Sequence, residues 1–202
     1  FVQIYGQGET PMTITSLRRE LIVDESHPNW RARRASVGQA MGCVEVRIAS
    51  DGVDAKPGEA GEILVRGTTV MKGYWRNEQA TADSIRDGWL HTGDIGRLDE
   101  DGFLTLTDRA KDLIISGGTN IYPREVEEVL ARHPGVLEVS VVGRPSAEWG
   151  EDVVAFVVRR EGEACDEAAL EAFCRAEMAS FKKPKAYFFC PELPKNSYGK
   201  VL

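Results

Sequence analysis

Between Thr107 and Glu125 the chain reads Thr-Asp-Arg-Ala-Lys-Asp-Leu-Ile-Ile-Ser-Gly-Gly-Thr-Asn-Ile-Tyr-Pro-Arg-Glu, a close succession of charged residues, an apolar run and a glycine pair. Asp108, Arg109, Lys111 and Asp112 form a dense ionic patch. Gly117 and Gly118 let backbone N–H groups approach a ligand with no Cβ in the way. Cations beside such N–H groups are what an anion requires, and a helix opening directly after the glycines adds the positive end of its dipole. Nothing in these residues names the anion. They suit equally a salt-bridge cluster between two domains followed by an ordinary glycine turn, because surface ion pairs are common.

Other groups with chemical capacity lie on either side. In Trp89-Leu90-His91-Thr92-Gly93-Asp94 the carboxylate follows Thr-Gly on a turn that can present it outward, which suits acceptance of two sugar hydroxyls. His91 has no second His or Cys at ligand spacing and reads as a packed or hydrogen-bonded residue. The acidic residue of the loop Gly6-Gln7-Gly8-Glu9-Thr10-Pro11 reads by itself as solvated. Arg31, Arg33 and Arg34 cluster in an irregular segment and read as a solvated loop.

The elements that must position these groups follow from periodicity. Phe1 to Tyr5 read as a strand ended by the glycine-rich loop. Val44 to Ile48 alternate strictly, and Glu62 to Arg66 make a neighbouring strand after the turn at Pro57-Gly58, so a small β subdomain is expected. Asn77 caps a short helix through about Ser84, and Asp101-Gly102 turns the chain into the strand Phe103 to Thr107. Leu113-Ile114-Ile115 read as a short buried strand, with a helix from Pro123 to His133 expected directly after the glycine pair. Beyond it come a strand at 136–142, an apolar strand at 153–158 buried on both faces, a helix from Asp166 to about Ser180 and a strand at 186–190. On that last helix Leu170, Phe173, Cys174, Met178 and Phe181 share a face and read as core. The tail from Leu193 to Lys200 is a polar loop in which a lysine follows a glycine.

With 202 residues and 42% hydrophobic content, one large or two small domains are possible. No apolar run approaches a membrane span, and a signal peptide's basic start and apolar core are missing. Lacking an initiator Met, the sequence reads as a piece of something longer. Cys43, Cys165, Cys174 and Cys190 show no metal-like spacing, so no zinc is expected; they read as reduced thiols of a cytoplasmic protein, Cys174 and Cys190 as small core residues. The net charge of −7 argues against general nucleic-acid binding, yet five lysines against Glu192 alone give the last twenty-one residues +4 and the rest −11. A basic end on an acidic chain suits a small polyanion.

Taken together, several separated motifs resemble the adenylate-forming superfamily of acyl-CoA synthetases, luciferases and peptide-synthetase adenylation domains. Tyr5-Gly6-Gln7-Gly8-Glu9 resembles its Tyr-Gly-x-Thr-Glu loop. Gly61-Glu62-Ile63 with Gly73-Tyr74-Trp75 resembles its Gly-Glu strand and Gly-Tyr element, and Thr92-Gly93-Asp94 its Thr-Gly-Asp turn. Asp108-Arg109-Ala110-Lys111-Asp112 resembles the hinge, and Pro194-Lys195 through Gly199-Lys200 the terminal catalytic loop. Each motif alone is weak; their family order and spacing make the set specific.

The resemblance implies an α+β or α/β fold: the β-rich end of a large domain, residues 1–109, followed by a small mobile C-terminal α/β domain, residues 110–202. It implies a C-terminal fragment, inactive alone, of an enzyme that uses ATP and Mg²⁺ to adenylate a carboxylic acid, of the fatty-acid type, and transfers the acyl group to CoA. Lys200 would be the catalytic cation. Tyr5 would stack on adenine within an ATP/AMP site of Tyr5, Gly6, Gln7, Thr10, Asp94 and Arg109, and Glu9 would hold magnesium. Lys111 would be the hinge, and Gly117 and Gly118 would line the path of CoA. Trp149 would sit near CoA, or simply pack as a loop aromatic. Where the family's phosphate-contacting Thr stands, this chain has Gly8; either Thr10 substitutes or the contact is missing. The family's phosphate loop and most of its acyl pocket are expected upstream, in a missing N-terminal portion that would be the fragment's partner; an oligomer is also compatible. The glycine segment resembles the CoA ligases more than the amino-acid-adenylating branch, which is the alternative, along with a non-catalytic module retaining the fold.

Overall fold

The computed structural model describes residues 1–202 apart from Asp51, Tyr198, Lys200 and Leu202. Contacts divide the chain into two units, Phe1–Ala110 and Lys111–Leu202.

In the first unit β1 (Gln3–Gln7) and β2 (Thr10–Leu17) form an antiparallel hairpin. Two short helices follow, α1 (Arg19–Val23) and α2 (Trp30–Ala35), and β3 (Gln39–Ala40) joins the edge of β2. A second sheet is built from β4 (Val44–Ser50), β5 (Val53–Asp54), β6 (Gly61–Gly67), β7 (Ile85–Arg86), β8 (Trp89–Leu98) and β9 (Leu104–Arg109). Its order is β5-β4-β6-β8, and β7 and β9 share the far edge of the long β8. The helix α3 (Glu78–Ser84) begins where the Asn77 side chain accepts from the Ala80 N–H, which satisfies an otherwise orphan donor. Tyr5, Ile14, Val37, Ile48, Ile63, Val65, Leu90 and Leu104 meet in one core.

A 3₁₀ turn at Ala110–Asp112 spans the boundary between the units. The second unit then runs β10 (Ile114–Ser116), β11 (Thr119–Ile121), α4 (Pro123–Leu130), β12 (Val136–Ser146), β13 (Gly150–Arg159), α5 (Glu167–Glu177) and β14 (Ala186–Cys190). Its sheet pairs β11, β10, β13 and β12 antiparallel, while β14 lies parallel to β13. Pro123 opens α4 where a missing N–H costs nothing, and Asp166 caps α5 by accepting from the Ala169 N–H. Val126 and Leu130 of α4, Leu170 and Cys174 of α5, and Val153, Ala155 and Val157 of β13 form its core. The molecule is therefore a mixed α/β, strand-rich chain. Among the described residues no helix is long and apolar enough to cross a membrane.

Several local expectations are corrected. The glycine-rich loop is only a tight turn, and Pro11 and Met12 already belong to β2, whose tail buries Ile14 and Leu17. Arg31, Arg33 and Arg34 lie on the helix α2, not in an irregular loop; Arg33 reaches Asp101 at 2.9 Å and covers the Phe103 ring, and Arg34 reaches Glu25 at 3.0 Å. Of the short apolar run only Ile114 is buried, and Ile115 is 52% exposed. The strand β11 intervenes between the glycine pair and α4. The last helix stops at Glu177, so Phe181 lies beyond it and is 56% exposed instead of core.

Candidate active site

Asp94 sits on a strand rather than in a free turn. Glu62 of β6 faces Ile95 of β8 and Leu64 faces His91, so Thr92, Gly93 and Asp94 stand opposite Ile63 alone. This bulge re-aims the strand, and Gly93 takes the left-handed φ of 69° that an ordinary side chain resists. The Thr92 hydroxyl donates to the Ile63 carbonyl at 2.7 Å and accepts from the Asp94 N–H at 3.1 Å.

The Asp94 carboxylate is turned toward β1. Its Oδ2 accepts from the Tyr5 hydroxyl at 2.7 Å and from the Gln7 amide at 2.6 Å. Burial and the neighbouring carboxylate together push the Tyr5 phenol well above its usual range, so it stays a donor. Arg109 is the cross-strand partner of Asp94, and its Nε lies 3.5 Å from Oδ1. The side chain of Arg109 is half exposed whereas Asp94 is largely enclosed. Oδ2 is thus occupied from two sides, and Oδ1 is the oxygen left facing a cation. Tyr5, Gln7, Asp94 and Arg109, singled out from separate stretches of sequence, form one cluster.

Glu9 stands at the tip of the β1–β2 hairpin. Its carboxylate accepts from the Tyr74 hydroxyl at 2.6 Å and its carbonyl from the Met71 N–H at 2.7 Å. The bond to Glu9 raises the Tyr74 phenol above its ordinary value. Among the described residues no group of three or more His, Cys, Asp or Glu could hold a metal. A single carboxylate still fits magnesium, which keeps several waters and takes other ligands from a bound phosphate. Thr10 differs from expectation: it is fully buried, with its hydroxyl 3.0 Å from that of Thr13 and 3.4 Å from that of Thr69. A hydroxyl enclosed in this way does not replace the one missing at Gly8. Gly6 has no room for a side chain, since a Cβ would lie 2.3 Å from the Met12 nitrogen.

In the second unit Gly117 and Gly118 form the two-residue turn joining β10 and β11, with φ of 58° and 76°. The Gly117 N–H donates to the Trp149 carbonyl at 2.8 Å, and a Cβ on Gly117 would lie 2.9 Å from the Trp149 ring. The Lys185 ammonium lies 4.6 Å from the centre of that ring, which is 44% exposed, and also reaches Asp152 at 2.6 Å. This ion pair holds the Asp152 carboxyl below the usual range. Lys111 is exposed in the 3₁₀ turn at the unit boundary. Lys200 lies outside the described residues.

Sequence reading did not assign roles to Glu62, Thr92, Tyr74 or Lys185, which support these groups. Glu62 accepts from His91 Nδ1 at 2.8 Å and from the Gly93 N–H at 3.2 Å. The Gly61-Glu62 and Gly73-Tyr74 pairs were visible as motifs, but their partners lie 29 and 65 positions away.

Comparison with known proteins gives this geometry a family. Residues 1–75 match the AMP-binding enzyme model, and residues 125–200 match the AMP-binding enzyme C-terminal domain. A 2-succinylbenzoate–CoA ligase of Geobacillus kaustophilus is 48% identical over 99% of this chain and 39% of its own length. A long-chain-fatty-acid–CoA ligase of Bacillus subtilis is 47% identical over 88% of the chain and 32% of its own length. The structure of an o-succinylbenzoate CoA synthetase from Bacillus subtilis, in complex with its acyl-adenylate intermediate, superposes with a TM-score of 0.87 at 39% identity, covering 99% of this chain and 39% of that one. The chain thus spans about two fifths of the length of such relatives. With family matches at both ends and relatives of this kind along nearly all of its length, it belongs to the adenylate-forming, AMP-binding enzyme superfamily.

Proposed function

We propose that the chain is the C-terminal part of an ATP-dependent acyl-CoA synthetase. A carboxylate attacks the α-phosphate of ATP, giving acyl-AMP and pyrophosphate; the CoA thiol then takes the acyl group and AMP leaves. The observation that carries this reading is the convergence of Tyr5, Gln7 and Arg109 on Asp94 in a chain that matches CoA ligases along nearly its whole length. The Asp94 Oδ1 would accept a ribose hydroxyl, with Arg109 donating alongside and Tyr5 bounding the adenine side. A pre-aimed carboxylate loses little on binding because its other oxygen is already held.

Residues 1–109 would be the end of the large domain and residues 110–202 the small domain turning about Lys111. Both reactants of the first step are anions, so a cation is needed between them; at ~4 Å in a partly dry site it contributes several kcal/mol. Lys200 takes that role by its motif. Magnesium, when bound, would neutralise phosphate charge, and Glu9 is the residue to hold it. For the second step, the side-chain-free turn at Gly117 and Gly118 leaves room for a thin thiol arm. Trp149 beneath Lys185 offers a flat ring and a positive charge, which suits the nucleotide end of CoA.

The acid is read as an aryl carboxylate, since a ligase of 2-succinylbenzoate matches over more of the chain than the fatty-acid ligase does. The fragment would be cytoplasmic, with the rest of the enzyme as its partner, and inactive without it. The test is made on the full-length protein with 2-succinylbenzoate and a long-chain fatty acid supplied separately. Lys200→Ala is expected to abolish acid-dependent pyrophosphate exchange while transfer from supplied acyl-AMP to CoA survives. Equal loss of both half-reactions, or exchange with neither acid, would refute the assignment.

A further inference from the structure

We propose that Glu62 is a positioning residue for the nucleotide, fixing the Thr92–Asp94 bulge and through it the aim of the Asp94 carboxylate. The inference rests on the reading of Asp94 as a ribose acceptor and adds a residue to it. In the bulge, three residues of β8 face one of β6, so the regular ladder has no carbonyl for the Gly93 N–H. Glu62 supplies the acceptor: one carboxylate oxygen takes the Gly93 N–H at 3.2 Å and the other lies 2.8 Å from His91 Nδ1. A carboxylate can only accept, so Nδ1 carries the proton.

As an ion pair this contact would contribute little, because both side chains are partly exposed. Its consequence is geometric. Gly93 lies next to Asp94, whose carboxylate must meet donors at 2.6 and 2.7 Å on another sheet; a shift of the bulge by about 1 Å would break that match. Glu62 therefore acts through backbone, with His91 steering its carboxylate.

The substitutions Glu62→Ala and Glu62→Gln separate this role from packing. The glutamine amide can keep both contacts, its oxygen accepting from Gly93 and its NH₂ donating to Nδ1 with the ring proton moved to Nε2. In the full-length protein, AMP binding by calorimetry is expected to weaken about tenfold for Glu62→Ala and by less than about threefold for Glu62→Gln. Amide exchange in the segment 90–95 should accelerate in the alanine variant alone, with the segment 44–48 unchanged. Unaltered AMP affinity in Glu62→Ala, or equal acceleration in both segments, would overturn the role of Glu62 while leaving the nucleotide reading standing. Failure of the unsubstituted protein to bind AMP would overturn the nucleotide reading and this assignment with it.

Discussion

The Tyr187 hydroxyl and the Cys174 thiol are both buried in the second core, the hydroxyl without a hydrogen-bond partner among the described residues, and each is pushed above its ordinary value chiefly because burial disfavours the anion. Their stabilising effect has a definite sign. Below the unfolded pKa values, about 8.5 for a thiol and 10 for a phenol, both states hold the protons and nothing is lost. Above them the unfolded chain releases protons that the folded chain retains, so stability falls by up to about 1.4 kcal/mol per pH unit for each group. Between about pH 9 and 11, urea unfolding should show this decline, and Tyr187→Phe should make it shallower while leaving stability at pH 7 within about 1 kcal/mol, because the hydroxyl it removes has no hydrogen-bond partner to lose among the described residues. An identical slope in the two proteins would remove Tyr187 from the account. Single residues also mark the reach of motif reading. Thr-Gly-Asp marks Asp94, but the burial of Thr10 is completed by Thr69, 59 positions away, and by Thr13 further along its own strand, an arrangement that local sequence does not specify.

Among the elements, the β10–β11 hairpin separates backbone need from steric need. Both glycines have positive φ, so a side chain at either is strained by about 1 kcal/mol. Only at Gly117 would the Cβ also meet the Trp149 ring, at 2.9 Å, whereas at Gly118 nothing lies within 4 Å. Gly117→Ala should therefore cost roughly 1–2 kcal/mol more than Gly118→Ala in chemical denaturation and shift Trp149 emission. Equal costs would mean that the ring gives way freely. The sequence identified the glycine pair but missed β11, because Thr119-Asn120-Ile121 is too short to show a period. The same brevity hid β3, β5 and β7, which exist only because longer strands offer them an edge.

At the scale of the molecule, the two hydrophobic cores share no residue. Leu130 is fully buried in the second, and truncating it removes contacts with both helices and sheet. Leu130→Ala should cost about 2–5 kcal/mol and raise amide exchange throughout β12 and β13. Protection in β4 and β6 should persist; its parallel loss would mean that the two units unfold as one.

Sequence alone determined which segments could be strands or capped helices, because alternation, Asn77, Pro123 and Asp166 act within a few residues. It also determined the superfamily, because the motifs keep their order. Tertiary structure decided how the chemical groups meet: the bulge opposite Ile63, the closing of Tyr5, Gln7 and Arg109 on Asp94, the anchoring of Glu9 by Tyr74, and Trp149 against Gly117. Those contacts join residues up to 89 positions apart, and their geometry comes from strand register and from burial shared between sheets, quantities that no local pattern contains.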